Sequence, residues 1–275
     1  MTAQATQGAV RSPAPSAAEA QPLVLATTRE GVAVLTLNNP AKRNALSRAM
    51  LEALRAELKR TAEDTAVRAV ILAANGPVFS SGHDLKEFVG AEPSQVTHLL
   101  NLCTEVMEGV RLHPKPVIAQ VHALASAAGC QLVASCDLVV ASSEAQFQTP
   151  GVKIGLFCST PMIPLSRAVA PKKAMEMLLT GQPISADAAE RAGLVNRIVA
   201  PAALATETFA LAQHIVSYSG GVLALGKQAF YRQLPLDMAH AYQVGIDAMQ
   251  RNNRLPDAQE GMTAFLQKRV PKWTT

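Results

Sequence analysis

Two stretches of the chain decide its fold: Phe79-Ser-Ser-Gly-His-Asp-Leu-Lys-Glu87 and Ala123-Leu-Ala-Ser-Ala-Ala-Gly-Cys-Gln-Leu-Val-Ala-Ser-Cys-Asp137. In each stretch, small residues stand where a strand-like run gives way to a helix-like one. Small residues let backbone N–H groups approach a ligand closely, and a helix N-terminus adds unpaired N–H groups and the positive end of the helix dipole. Two such turns that converge on one point would form an oxyanion hole.

The surrounding segments alternate between strand-like and helix-like patterns. Ser47 is predicted to begin a helix, and a second apolar stripe at helical spacing runs from Val96 to Val110. The predicted strands cover residues 23–27, 32–37, 67–73, 117–121 and 138–141, and residues 145–149 precede a Pro-Gly turn. This alternation predicts an α/β fold whose strands are mainly buried.

The composition changes from Ser185 onward and becomes helical. Four helices are predicted, at about 202–216, 220–233, 236–252 and 257–268. Asp257, with Glu260 three residues later, predicts a capping-box-like start for the last helix. The expected organisation is a disordered tail at 1–21, rich in Ala, Gln, Ser, Thr and Pro, an α/β core at 22–200 and a C-terminal helical region at 201–275.

Composition and charge narrow the classes of function. The net charge is +4 and the basic residues are dispersed, with doublets such as Lys42-Arg43, which argues against nucleic-acid binding. Residues 1–21 contain no long apolar run, so neither a signal peptide nor a membrane anchor is expected there. The four cysteines include no C-x-x-C pair, which favours buried free thiols in a reducing compartment over disulfides or a metal site.

Several motifs together carry a family resemblance. The motifs are Asn39-Pro-Ala-Lys-Arg-Asn-Ala-Leu46, Phe79-Ser-Ser-Gly-His-Asp-Leu-Lys86, Lys115-Pro-Val-Ile-Ala-Gln-Val-His-Ala123, Gly129-Cys-Gln-Leu-Val-Ala-Ser-Cys-Asp137, Leu179-Thr-Gly-Gln-Pro-Ile-Ser-Ala-Asp-Ala-Ala-Glu-Arg-Ala-Gly-Leu-Val195 and Glu260-Gly-Met-Thr-Ala-Phe-Leu-Gln-Lys-Arg269. In this order, over about residues 22–273, they resemble the enoyl-CoA hydratase/isomerase (crotonase) family.

The resemblance implies a core that is a spiral of ββα turns, and a C-terminal helical region that assembles homotrimers or dimers of trimers. It implies a coenzyme A thioester as substrate or ligand, no permanently bound cofactor, and a place in fatty-acid or related acyl-CoA metabolism. The compartment implied is the cytoplasm, or the mitochondrial matrix if the source is eukaryotic. The oxyanion hole would consist of the backbone N–H groups of His83 and Ala128.

The resemblance also suggests which residues contact coenzyme A. Arg43 and Lys86 would lie near its phosphate or adenine side. Lys268 or Lys272 would reach a phosphate of a coenzyme A bound to the same or to a neighbouring subunit. A plain surface role stays open for each of the four. Asp84 has the alternative role of pinning its loop. The full set of expected contacts is Arg43, Ala45, Ser81, Asp84, Leu85, Lys86 and Lys268.

The chain departs from the family at two positions. Hydratases of this family use two glutamates to position and deprotonate the attacking water and to protonate the α-carbon. The resemblance places Gln131 at the first position and Gly151 at the second. A glutamine amide orients a water without taking its proton, and glycine does neither, so little ordinary hydration is expected.

His83 is the candidate substitute, because a histidine exchanges protons near neutral pH. The alternative for His83 is a solvent-facing or hydrogen-bonded side chain without a catalytic role. Cys158 is either a nucleophile or a buried structural thiol, and the second interpretation is preferred. Ser159 and Thr160 are predicted to cap the helix that follows them.

Two main hypotheses for the function remain. The leading one is an enzyme that binds an acyl-CoA and stabilises a thioester enolate in the backbone oxyanion hole. The alternative is a non-catalytic acyl-CoA binder or regulatory subunit, which the absence of both glutamates favours. A structural or RNA-binding protein fits less well, since the basic residues are dispersed.

Overall fold

The computed structural model describes residues 21–274, so the tail predicted at 1–21 lies outside the described residues except for Gln21. The strands, in chain order, are β1 Val24–Arg29, β2 Val32–Leu37, β3 Ala69–Ala74, β4 Val117–Val121, β5 Ala125–Ser126, β6 Leu138–Ser142, β7 Gln146–Gln148, β8 Ile184–Ser185 and β9 Arg197–Val199. The helices are α1 Arg48–Glu63, α2 Pro93–Arg111, α3 Ala128–Ser135, α4 Met162–Ala168, α5 Pro171–Thr180, α6 Ala186–Ala192, α7 Leu204–Val216, α8 Gly220–Gln233, α9 Met238–Asn253 and α10 Pro256–Leu266.

The strands form two sheets. Six strands pair in the order β1-β2-β3-β4-β6-β9, antiparallel between β1 and β2 and parallel elsewhere. Three short strands pair in the order β5-β7-β8. Parallel neighbours need crossover connections, so helices intervene along the chain between consecutive parallel strands of the larger sheet. The α/β prediction is confirmed.

Each face of the larger sheet is buried against a different set of helices. In β3, Val70 and Leu72 face the main core, whereas Ala69 and Ile71 face a second cluster with residues of α7. This division follows from the alternation of side chains along a strand. Helix α7 therefore lies on the sheet, whereas α8, α9 and α10 pack on one another.

Buried polar contacts fix α8 to the core. The Asp137 carboxylate accepts a hydrogen bond from Lys227 Nζ at 2.6 Å, from the Tyr231 hydroxyl at 2.9 Å and from Val117 N at 2.7 Å. Lys227 and Asp137 are both largely buried. A paired, hydrogen-bonded charge is tolerated in such a place, and here it sets the position of α8 on the core.

Two predicted helix caps are wrong. The last helix has Leu255 at its N-cap and Pro256 in its first turn, and the Asp257 side chain instead accepts hydrogen bonds from Thr274. Helix α4 has Pro161 at its N-cap without a side-chain bond, so Ser159 and Thr160 do not cap it. The Ser47 start is confirmed, since its side chain accepts from Met50 N.

Within residues 21–274, no single helix combines the length and the apolar composition needed to cross a membrane. One pair of helical segments, Pro201–Val216 and Gly220–Gln233, meets both criteria only when taken together, and the two are bent by 101° relative to each other.

Candidate active site

The two turns, in the stretches 79–87 and 123–137, lie side by side. Phe79 N and Ser80 N donate to Leu124 O at 3.0 and 3.3 Å, and Ser126 N donates to Ser80 O at 2.9 Å. These backbone bonds hold the segment after β3 parallel to β5, so the residues that follow each segment reach the same place. The first turn continues to His83, and the second leads into α3.

Two glycines let the turns touch through their backbones. Gly82 has φ +90°, and a Cβ there would lie 2.8 Å from Ala127 Cβ and 3.2 Å from Ala128 N. A Cβ on Gly129 would lie 2.7 Å from both Cβ and O of Ser80. Real Cβ atoms do not approach this closely, so both positions require glycine, and no side chain separates the turns.

Two backbone N–H groups are free at this junction. Among residues 21–274, neither His83 N nor Ala128 N donates to another protein atom. Ala128 is the first residue of α3, where helical N–H groups have no partner within the helix. The unusual backbone angles of this turn fall on Ala127, with φ 50° and ψ −118°, whereas Ala128 is already part of the helix. Both N–H groups are thus left without a protein acceptor, and the oxyanion hole that they would form together stays a prediction.

The His83 side chain is held beside this junction. Its Nδ1 lies 3.1 Å from Leu46 O, and its ring packs on Phe88 with centroids 5.5 Å apart. Burial lowers the pKa of His83, although the Leu46 carbonyl and Glu87 raise it. The ring is therefore neutral at neutral pH, and its buried Nε2 has no partner within the described residues.

Two further buried oxygens near α3 lack partners. Gln131 Oε1 and Thr149 Oγ1 make no hydrogen bond among the described residues, and the two residues are 4% and 0% exposed. Gln131 follows Ala128 by one helical turn. Thr149 follows Gln148, whose carbonyl accepts from Ala127 N at 2.9 Å. Buried polar atoms are normally paired, so each of these two oxygens is left for a ligand or a water to pair.

Comparison with known proteins decides the family. The enoyl-CoA hydratase/isomerase family model matches residues 27–275. The chain belongs to this family. The mitochondrial enoyl-CoA hydratase domain-containing protein 3 of Rattus norvegicus is 49% identical over 94% of this chain and 87% of its own length. A crystal structure of enoyl-CoA hydratase from Mycobacterium smegmatis is 49% identical, with a TM-score of 0.90 over 93% of this chain and 100% of that one.

The corresponding human protein supports the same fold. Human enoyl-CoA hydratase domain-containing protein 3, whose crystal structure is known, is 49% identical in sequence. Its structure gives a TM-score of 0.89 over 91% of this chain and 100% of that one. The crotonase-type α/β fold expected from the sequence motifs is thereby confirmed.

Gly151, at the second glutamate position of the family resemblance, has no room for a side chain. A Cβ there would lie 2.8 Å from Leu156 O and 3.0 Å from Cys158 Sγ. The backbone of the 150–154 turn and the segment after it occupy the space into which a side chain would extend. The chain around Gly151 is thus built for glycine, and no acid or base stands at this position.

The thiols of Cys158, which lies next to Gly151, and of Cys130 are protonated. Burial raises the pKa of Cys158, and it raises the pKa of Cys130 to about 12. The nucleophile in cysteine chemistry is the thiolate, so neither thiol is activated. These directions support the structural interpretation of Cys158.

The structure brings most of the predicted coenzyme A contacts together. Arg43 O accepts from Ser81 N at 3.0 Å, and Leu46 N donates to Gly82 O at 2.7 Å, so the 43–46 loop lies along the first turn. The predicted contacts on these two segments are Arg43, Ala45, Ser81, Asp84, Leu85 and Lys86. Of these, Arg43, Leu85 and Lys86 are exposed, whereas Ala45 is buried. Asp84 accepts from Lys86 N at 3.1 Å and so also pins its loop.

Lys268 lies elsewhere in the chain. It follows α10, which packs on α8 and α9, and it has φ 56°. Its contact with coenzyme A stays a prediction. A cavity of about 280 Å³ lies among these helices, lined by residues that include Tyr218, Met249 and Trp273, and the two converging turns do not line it.

Asn44 is a structural residue of the site that the sequence analysis missed. It is fully buried with φ 49°, accepts from Asn39 N at 2.8 Å, and donates to Asn75 O at 2.7 Å and Val78 O at 3.1 Å. Its amide joins the 39–44 loop to the segment before the first turn. An asparagine beside Arg43, ahead of a helix start, was the available signal, since asparagine tolerates positive φ.

Proposed function

We propose that this protein binds an acyl-CoA and stabilises the enolate of its thioester through His83 N–H and Ala128 N–H. The observation that carries the proposal is the close approach of the two turns: a Cβ added at Gly82 would lie 3.2 Å from Ala128 N. A thioester oxygen placed there accepts two hydrogen bonds, and it becomes more negative as the enolate forms. One such donor is worth about 3–4 kcal/mol in a well-studied hydrolase.

Ordinary hydration is not the reaction supported best. Addition of water needs a group that takes a proton from water and a group that gives one to the α-carbon. Gln131 and Gly151 supply neither. General acid–base catalysis contributes about 10²–10⁴-fold to a rate, so a site without both groups hydrates slowly.

Coenzyme A binding would use the exposed cations beside the hole. Arg43 and Lys86 lie on the two neighbouring loops and are free to meet phosphates. Lys268 would contribute from another subunit of a homotrimer. The relatives named as mitochondrial support the mitochondrial matrix as the compartment if the source is eukaryotic, and the cytoplasm stays the alternative prediction.

A non-catalytic acyl-CoA binder is the second candidate. The observation that favours it is the blocked Gly151 position, which no small side-chain shift opens. Both candidates need the thioester bound at the converging turns. They differ in whether bound acyl-CoA exchanges protons or undergoes any further change.

The test combines binding and turnover of crotonyl-CoA. We expect calorimetry to detect binding, while the enone absorbance and product mass show little hydration. Gly82→Ala should weaken binding at least about tenfold, because its Cβ meets Ala127 and Ala128. Gly31→Ala is the matched control: Gly31 also has positive φ, but the nearest atom to its Cβ is at 3.7 Å and belongs to a flexible arginine. Undetectable binding, or equal binding by Gly82→Ala, contradicts the proposal.

A further inference from the structure

We infer that the His83 imidazole is the base that removes the α-proton of the bound acyl thioester, through its Nε2 atom. The inference rests on the proposed function, because the proton becomes removable only when the thioester oxygen lies in the hole. It assigns a specific atom and an elementary step to a site that lacks the two family glutamates.

The Leu46 carbonyl fixes the tautomer of the ring. A carbonyl oxygen only accepts hydrogen bonds, so Nδ1, 3.1 Å away, carries the hydrogen. In the neutral imidazole, Nε2 is then left with its lone pair. The protein thus presents a ring whose free nitrogen is ready to accept a proton, with no prior change of tautomer.

The environment of Nε2 keeps it unprotonated and unoccupied. The atom is buried and has no partner among residues 21–274. The ring lies against Phe88, and Glu87 is the charged side chain whose field acts on it. Desolvation outweighs Glu87 and the Leu46 carbonyl, so the pKa of His83 is lowered. Most of the protein therefore holds the basic form at neutral pH.

The other titratable groups near the hole are committed elsewhere. The Glu87 carboxylate accepts from Arg48 N at 3.0 and 3.2 Å, and Asp84 accepts from Lys86 N. Burial raises the pKa of the Cys130 and Cys158 thiols, so both stay protonated. His83 alone among these combines a free lone pair with attachment to the backbone of the hole.

The step is balanced without another reactant. The α C–H bond breaks, its proton moves to Nε2, and its electron pair delocalises onto the thioester oxygen, which His83 N–H and Ala128 N–H hold. Return of a proton from the imidazolium to the α-carbon restores the thioester. When the imidazolium exchanges its proton with solvent in between, the α-hydrogen is replaced by a solvent hydrogen.

The experiment follows α-deuterium incorporation into butyryl-CoA in D₂O by mass spectrometry, with binding measured by calorimetry. We expect exchange by the unaltered protein and a fall of at least about a hundredfold in His83→Asn. An asparagine amide keeps a donor for Leu46 and leaves the backbone N–H in place, so binding should change by only a few-fold. His98→Asn, an exposed position on α2, is the control and should exchange normally.

The outcomes separate the two claims. Full exchange by His83→Asn, or binding of butyryl-CoA with no exchange even after prolonged incubation, overturns the role of His83 and leaves the hole intact. Absence of butyryl-CoA binding to the unaltered protein overturns the proposed function itself. If His83→Asn does not fold, the pH profile of the unaltered protein decides. Because burial lowers the pKa of His83 below the ordinary histidine value, the exchange rate should be level across neutral and alkaline pH and fall only in acid. A rate that keeps rising above about pH 8 contradicts a histidine base.

Discussion

At the scale of single residues, the site is marked by polar atoms that the protein leaves unpaired. Thr149 is fully buried and its hydroxyl has no partner among the described residues, whereas the equally buried Thr208 donates to Leu204 O at 2.7 Å. An unpaired buried hydroxyl costs about 1–3 kcal/mol of stability. Such a cost persists at functional sites, where the ligand supplies the missing partner.

Thr149→Val should therefore stabilise the ligand-free protein by about 1 kcal/mol, because valine has the shape of threonine without the hydroxyl. Thr208→Val, in contrast, removes a satisfied hydrogen bond and should destabilise by about 1 kcal/mol. Chemical denaturation of both variants measures the difference. An equal loss of stability in the two variants would show that the Thr149 hydroxyl is satisfied in solution.

His113 couples the stability of the fold to pH. Its ring is buried beside Leu58 O and the Thr61 hydroxyl, each 3.2 Å from Nε2, and Lys115 N donates to Nδ1 at 3.1 Å. Burial is the main cause that lowers the pKa of His113, to about 4. The folded protein therefore keeps this ring neutral at pH values where an unfolded chain protonates it.

The direction of this pH dependence of stability follows from the difference in proton binding between the folded and unfolded states. Between the unfolded value of about 6.5 and the folded value, the unfolded state binds more protons, so stability falls as the pH is lowered. The contribution of His113 is present above pH 6.5, and about 3 kcal/mol is lost by pH 4. In His113→Gln, the unfolding free energy should depend less steeply on pH between about 6.5 and 4, by an amount that corresponds to about one proton fewer taken up on unfolding. An unchanged slope in denaturant titrations across this range would contradict the assignment.

At the scale of elements, residue patterns predict the periodic parts well. Helix α8 spans Gly220–Gln233 as expected, and α9 differs from its predicted bounds by at most two residues. The two-residue strand β8 was not predicted, since so short an element carries no periodicity. Helix α5, which begins at Pro171, was not predicted either. The Asp257 cap failed because Thr274, far along the chain, takes up that carboxylate.

The site was predictable to the extent that it is made of backbone. Small residues between a strand and a helix predict close turns, and Gly82 and Gly129 indeed lie where a side chain would collide. The unpaired hydroxyl of Thr149 and the free lone pair of His83 could not be predicted from the sequence. Whether a buried polar atom is paired depends on neighbours from distant segments, such as Leu46 for His83.

Gly129 is the residue on which contact between α3 and the first turn depends most directly. Gly129→Ala should cost about 1–3 kcal/mol of stability and weaken acyl-CoA binding, because the new Cβ meets Ser80 backbone at 2.7 Å. Gly226→Ala in α8 is the matched control, with no atom within 4 Å of the new Cβ, and should stabilise by up to about 1 kcal/mol. Thermal denaturation distinguishes them, and equal effects would contradict the close contact.

At the scale of the whole molecule, α9 presents an apolar face that the described chain leaves uncovered. Met238, Tyr242, Ile246 and Met249 recur at helical spacing and are 47–73% exposed. Contiguous exposed apolar patches mark interaction sites. The homotrimer expected from the family resemblance would cover this face.

The unaltered protein should therefore show a mass near three or six times 29.0 kDa in light scattering. Tyr242→Glu should shift it toward the monomer, because it puts a charge into the buried face. Gln243→Glu adds the same charge about 100° around the helix and should leave the assembly unchanged. A monomeric unaltered protein would contradict the homotrimer as the assembly that covers the α9 face.

The most direct test of the oxyanion hole compares butyryl-CoA with S-butyl-CoA, the thioether that lacks the carbonyl oxygen. Both ligands offer the same coenzyme A and nearly the same chain, so the difference in calorimetric affinity reports the two backbone donors. We predict that butyryl-CoA binds at least about tenfold more tightly, equivalent to about 1.4 kcal/mol. Equal affinities would show that His83 N–H and Ala128 N–H do not hold the thioester oxygen.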